Sequence, residues 1–175
     1  VFTRGTFDES VSLRVVAGES DTKVAVWDEA ALASATSACP WVADELRLVA
    51  DRFQALAGAT MGPLGERLDE ALRQMVTSRC EVRAFMAGEG IVTSGSPVPG
   101  MFIVGGGVIE LIAGEDVVGE LGPGEFLFAT SVMSASVAPM GARAGPSGAL
   151  LLFAERHAAH ELMVSVPPLL EILAG

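Results

Sequence analysis

Between Met86 and Phe128 the chain reads MAGEGIVTSGSPVPGMFIVGGGVIELIAGEDVVGELGPGEFLF, with a glycine every few residues. The apolar pieces between the glycines are short: Met101–Val104, Val108–Ile112, Val117–Leu121 and Phe126–Phe128. Short apolar runs bounded by turn residues predict strands in a compact β-structure. The glycines supply corners, where the backbone needs positive φ or a close approach to another strand. This stretch constrains the fold far more than the chemistry.

The chain has 175 residues, half of them apolar, and a mean hydropathy of +0.47. That is enough for one full domain and part of another. No apolar run reaches the roughly 18 residues of a membrane span. No basic leader precedes an apolar segment, so no secretory signal is read. The first residue is Val, and the chain is expected to be part of something longer. A net charge of −11 counts against nucleic acid and anionic membrane surfaces as partners, because phosphates reward clusters of Lys and Arg. Cys39 and Cys80 form neither a CxxC nor a metal-ligand spacing. Two reduced, partly buried thiols in a cytoplasmic protein are the expectation.

Taken in order, Val11–Val16 and Lys23–Trp27 read as strands joined by a turn at residues 17–21, and Asp28–Ala35 as a short helix. Pro40 suits the first position of the next helix. There Val42, Leu46, Val49, Phe53 and Leu56 form an apolar stripe spaced 4, 3, 4, 3. The stripe is too short for a sustained coiled coil, so core packing is expected of it. Gly58 and Gly62 interrupt this helix, and Pro63 opens another with Leu64, Leu68, Leu72 and Met75 on one face. Val82 and Ala84 alternate with Glu81 and Arg83 as in a half-buried strand. After the glycine-rich stretch come strands over Ala142–Ala144 and Ala149–Phe153 with a turn at Gly145–Gly148. Helices then follow over Arg156–Val164 and Pro167–Leu173.

Lys23–Leu46 echoes Ala149–Leu173: Trp27 falls on Phe153, Glu29 on Glu155, Pro40 on Pro167 and Leu46 on Leu173. The division this predicts is residues 1–46 as the back half of a first, truncated unit, 47–63 as a connecting helix and linker, and 64–175 as a complete unit. The fold class expected is mainly β with helices (α+β), an antiparallel β-roll or jelly-roll flanked by N- and C-terminal helices.

In that order and spacing, several motifs resemble the cyclic-nucleotide-binding domain family, whose type is the catabolite activator protein-like β-roll. They are Ala87–Val92, Gly95, Met101–Val104, Gly107–Leu111, Leu121–Leu127, and Pro167 with Leu169 and Leu170. The resemblance covers residues 64–175 and, more weakly, 11–46. It implies a phosphate-binding cassette of the form F-G-E-x-A-L followed by R-x-A-x-V-x-A. There a glutamate takes the ribose hydroxyl and an arginine the cyclic phosphate, with backbone N–H groups at a short helix start. Here the family's Gly falls on Phe128, its Glu on Ala129 and its Arg on Ala138, so both polar anchors are missing. The ligand pocket that the resemblance implies is Phe128, Ala129, Thr130 and Ser131, with Arg143 nearby as a substitute cation. The apolar cassette, Phe126–Phe128 with Val132, Met133 and Val137, predicts either packing or a protein-contact surface in place of the ligand.

Nothing else in the chain carries chemistry. His157 and His160 stand three apart on a predicted helix without a third ligand, so no metal is expected. Gly105-Gly106-Gly107 lacks a nucleotide-loop frame and is expected to be a β-turn. No nucleophile–base set is readable, so no catalytic residue, enzyme activity or cofactor is expected. The function expected is a non-catalytic regulatory or scaffolding protein of a tandem-domain bacterial type. It would act through protein partners or self-association, with cyclic nucleotide binding lost. The alternative is a sensor of a cyclic nucleotide or other anion using Arg143.

Overall fold

The computed structural model describes Thr6 and residues 22–175. Its centre is a pair of long antiparallel strands, β3 (Gly100–Ala113) and β6 (Gly141–Glu155), in register from Gly100 opposite Glu155 to Ile112 opposite Gly141. β1 (Glu81–Phe85) and β2 (Gly90–Val92) pair with β6. β4 (Asp116–Leu121) and β5 (Phe126–Leu127) pair with β3. The sheet order β1-β6-β3-β4 is antiparallel throughout, and the roll's buried core includes Phe102, Val104, Ile109, Leu127, Leu150 and Leu152. The sheet thus matches the expected class.

Two expected turns are instead bends within strands. Gly105–Gly107 lies inside β3, and Gly145–Gly148 inside β6. Register shifts between Val104 and Gly106, and again between Gly107 and Ile109, bend both strands without breaking the ladder. Gly107, at φ +68°, faces Gly148 so closely that a Cβ would stand 2.1 Å from the Gly148 carbonyl oxygen. Sequence reading takes such glycines as turns because it cannot see the partner strand that keeps the ladder going.

Helices cover the roll. α1 (Glu29–Ser37) starts where the Asp28 carboxylate accepts the Ala31 N–H, a side-chain N-cap. α2 (Pro40–Ala59) opens on Pro40, as its missing N–H permits. The helix expected from Pro63 onward is two pieces, α3 (Pro63–Arg67) and α4 (Glu70–Ser78). Leu68 is extended and buried at the break, and Asp69 caps α4 by accepting the Leu72 N–H. Arg73 then donates to the carbonyls of Gly65 and Leu68 across the gap. A local cap competes with helix continuation, and burial of Leu68 decides for the cap. α5 (Ala129–Met133) follows β5, and α6 (Arg156–Ser165) and α7 (Pro167–Ala174) close the chain as expected.

Two sequence expectations are corrected outright. Lys23–Trp27 forms no strand among the described residues, and Val24, Val26 and Trp27 are all exposed. β-branched and aromatic residues favour a strand only where a neighbour completes the ladder. Val11–Val16, the other strand of the expected pair, lies outside the described residues. Second, the apolar stripe of α2 is only partly core: Leu56 packs on it, and Val42 and Leu46 are half-buried. The buried residues are Ala50, Asp51, Gln54, Ala55, Gly58 and Ala59. The C-terminal half of α2 lies on β3, where a Cβ on Gly58 would come 1.8 Å from the Gly105 carbonyl oxygen. Only small residues allow helix and strand backbones to come this close. Gly58, expected to interrupt the helix, is thus inside it and sets its packing distance. Asp51 is buried on the same face, and its carboxylate accepts both the N–H and the hydroxyl of Thr6.

Candidate functional site

The cassette begins where β5 is pinned to β3. The Val104 N–H donates to the Glu125 carbonyl at 2.9 Å, and the Gly124 N–H to the Val104 carbonyl at 2.7 Å. Leu127 is buried opposite Phe102. Phe128 then turns the chain with φ +50° and ψ +43°, a left-handed conformation unusual for an aromatic residue. Its half-buried ring packs on the core together with Phe126, Ala129 and Met133. The burial of an aromatic ring offsets a local backbone cost on the order of 1–2 kcal/mol.

α5 has five residues and no side-chain N-cap. Val132 and Ser131 are buried, and Thr130 is exposed. The Ser131 hydroxyl donates to the Val137 carbonyl at 3.2 Å, and the Ser136 N–H donates back to the Ser131 carbonyl at 3.0 Å. Ser131 is therefore fully used in folding the loop over itself. Ala138, which the sequence resemblance sets on the family's arginine, is buried. Its N–H donates to the Ser96 carbonyl, and its carbonyl accepts the Gly95 N–H, both at 2.9 Å. Among the described residues no buried side-chain nitrogen or oxygen lacks a hydrogen-bond partner. The cassette thus closes with every buried polar side chain satisfied within the protein.

Of the five residues singled out in the sequence, the structure brings together Phe128, Ala129, Thr130 and Ser131 at the start of α5. Arg143 is placed differently. It lies on β6 between buried Ala142 and Ala144, and alternation puts its side chain on the outer face of the sheet. Its Nε donates to Glu110 Oε2 at 2.6 Å, across the β3–β6 register. Its side chain is 45% exposed while that of Glu110 is 15% exposed, so the arginine serves to neutralise the more buried carboxylate.

Sequence reasoning missed the hydrogen-bonded closure of Ser131 on Val137, because a serine in an apolar run gives no sign of its acceptor. It also missed Ala135, the second non-glycine residue at positive φ, +52°. Ala135 is exposed, so its conformation has no packing to offset it. Ala135→Gly is expected to stabilise the chain by about 0.5–1 kcal/mol, raising Tm by roughly 1–4 °C in a thermal melt.

Elsewhere the chemistry is quiet. His157 lies 3.5 Å from Glu161 on α6, and among the described residues no group of three or more His, Cys, Asp or Glu could hold a metal ion. No described helix is long and apolar enough to cross a membrane. Burial pushes the Cys80 thiol from 9.0 up to about 12, partly opposed by Arg52. Native Cys80 is expected to resist thiol reagents at pH 8 and to react once the chain is unfolded in urea. The folded pKa lies above the unfolded one, so this contribution to stability is complete below pH 9. It falls at about 1.4 kcal/mol per pH unit as pH rises from 9 toward about 12. Urea midpoints at pH 8 and pH 10 read that loss.

The roll, the short helix in its loop and the two closing helices are the cyclic-nucleotide-binding domain fold, and solved structures bear this out. The Thermus thermophilus catabolite activator protein matches with a TM-score of 0.58 and 23% identity over 65% of this chain and 55% of its own. A PKAR CBD2 bound to Sp-2Cl-cAMPS matches at 0.59 and 14% over 71% of this chain and 85% of its own. The N-terminal domain of a transcriptional regulator from Streptomyces coelicolor A3(2) matches at 0.56 and 16%, over 67% and 83%. The match spans little more than half the length of the Thermus protein. No protein-family model matches the sequence, and no curated protein does.

Proposed function

We propose that this chain is a non-catalytic regulatory or scaffolding module that keeps the cyclic-nucleotide-binding fold, has lost the cyclic nucleotide, and works through protein contacts. One observation carries the reading: Ala138, which the sequence resemblance sets on the family's arginine as it sets Ala129 on the glutamate, is buried and tied to Gly95 and Ser96. An arginine there would have to displace packed backbone, and without one the phosphate lacks a charge-assisted contact of about 1.5–3 kcal/mol. The ring of Phe128 packs where the family carries glycine, which supports closure by packing.

The sensor alternative draws on Arg143. Its bond to Glu110 on the outer face counts against it, since a ligand would have to break that pair. Regulation is also the setting of the neighbours, among them a catabolite activator protein and a transcriptional regulator. A contact module in the cytoplasm is the setting we propose for this chain. Isothermal calorimetry with cyclic AMP and cyclic GMP tests the reading. No binding heat is expected from either, with the unaltered chain or with Arg143→Ala. Micromolar binding by the unaltered chain overturns it, and loss of that binding in Arg143→Ala would establish the sensor.

A further inference from the structure

Lys23–Trp27, read Lys-Val-Ala-Val-Trp, has the composition of a strand and no strand partner among the described residues. It holds no glycine or proline, and three of its five residues are β-branched or aromatic. Val24 is 73%, Val26 85% and Trp27 71% exposed, and Lys23 and Ala25 are exposed as well. None of the five makes a backbone hydrogen bond or an ion pair with any described residue. Asp28, which follows, is in extended conformation at φ −74° and ψ 166°. Strand-forming residues left exposed and without a ladder are a template for pairing with another chain. The β4 end of the sheet receives such a segment poorly. Val118 is an extra residue there, between the pairs Leu111–Gly119 and Ile112–Val117. A bulge of this kind interrupts the row of backbone groups that a new strand needs.

We infer that Lys23–Trp27 pairs with the same five residues of a second copy of this chain, antiparallel, with Ala25 on the two-fold axis. The segment is complementary to itself in that register. Val24 stands opposite Val26 of the second copy, and the two-fold repeats the contact, so one face of the ribbon carries four valines. On the other face Lys23 stands opposite Trp27 of the second copy, again twice. An ammonium over an indole is the most favourable pairing of a cation with an aromatic ring. Charge fixes the direction. Lys23 is the only lysine in the chain, and a parallel pair would set it against its own copy. The antiparallel pair instead carries each Lys23 to the end where Asp28 and Glu29 begin the partner's α1. A slip of one residue toward α1 would put Lys23 opposite Asp28, whose carboxylate already accepts the Ala31 N–H. The register through Ala25 leaves that cap in place.

The pairing rests on the reading of this chain as a protein-contact module and names its partner, from residues outside the cassette. Sedimentation of the full chain tests it, at concentrations up to about 200 μM. A weak, concentration-dependent dimer is expected, as suits a short ribbon. Trp27 and Trp41 are the only tryptophans, so in Trp41→Phe the fluorescence reports Trp27 alone. Its emission should move to the blue as the dimer forms. Val26→Pro removes a strand N–H and should give monomer. Lys23→Glu takes the cation from both rings and should weaken the dimer by about fivefold or more. Lys23→Glu/Trp27→Arg sets opposite charges across the pair and should return dissociation to within about threefold of the unaltered chain. All three positions are exposed, and circular dichroism verifies that each variant is folded. A chain that stays monomeric overturns the inference, as does a dimer indifferent to Val26→Pro. A dimer that Lys23→Glu leaves unchanged, or that the double variant fails to rescue, overturns the antiparallel pairing. A Trp27 emission already blue-shifted at every concentration places the segment's partner within its own chain and overturns it too. Because calorimetry reads the cassette and sedimentation reads residues 23–27, a monomer without cyclic-nucleotide heat removes the pairing alone, and a dimer with such heat removes only the loss of ligand.

Discussion

Gly58→Val is expected to lower stability by about 3 kcal/mol or more, enough to shift Tm down by roughly 6–12 °C. The reason is that the first atom added collides with backbone. A Cβ at Gly58 would stand 1.8 Å from the Gly105 carbonyl oxygen, and one at Gly105 would stand 2.5 Å from the Ala55 Cα. No side chain lies between to rotate away, so α2 must lift from β3. Lifting it uncovers Ala55, Ala59 and the bend of β3, all of which belong to the core. Urea unfolding followed by far-ultraviolet circular dichroism measures the loss. Gly90→Ala is the control. Gly90 sits in a strand with nothing within 4 Å of its would-be Cβ, and its substitution should be near neutral. If both variants unfold at the same urea concentration as the unaltered chain, the close packing of α2 on β3 is wrong.

Phe153→Ala is expected to cost about 3–5 kcal/mol, the range for removing a buried phenyl ring. Phe153 is buried in β6, between β1 and β3. Its ring centroid lies 4.5 Å from that of Phe102, tilted by 40°. The Arg83 guanidinium covers its other side at 3.6 Å. The substitution removes the ring pair, opens a cavity and leaves Arg83 over empty space. A double-mutant cycle with Phe102→Leu and Phe153→Leu should return a coupling of about 0.5–1.5 kcal/mol for the ring pair alone. Arg83→Met should cost only about 0.5–1 kcal/mol, the share of the cation over the ring face. A Phe153→Ala protein with an unchanged urea midpoint would remove this residue from the core.

The glycine-rich stretch was legible as a β-roll because its signal is local. Each corner needs a residue free to take positive φ, and each strand needs a few apolar residues in a row. Helix starts were equally legible, at Asp28 and Pro40, since a cap and a first-turn proline act within a few residues of themselves. What lay out of reach depended on a partner far along the chain. Gly105–Gly107 bends a strand rather than ending it because β6 continues opposite. Lys23–Trp27 forms no strand with any of the described residues, whatever its β-propensity. Arg143, one candidate among five, faces outward because the parity of β6 is fixed by what Ala142 and Ala144 fill.

By itself, then, the sequence determined the roll and the order of its elements, properties of short windows of residues. The tertiary structure alone decided which side of α2 is core. The stripe that looks apolar in sequence is the larger hydrophobic face, yet β3 accepts the smaller one. Gly58 meeting Gly105 brings two backbones together more closely than any apolar side chain permits. That choice, made by shape rather than hydrophobicity, is what leaves Val49 outside the buried face.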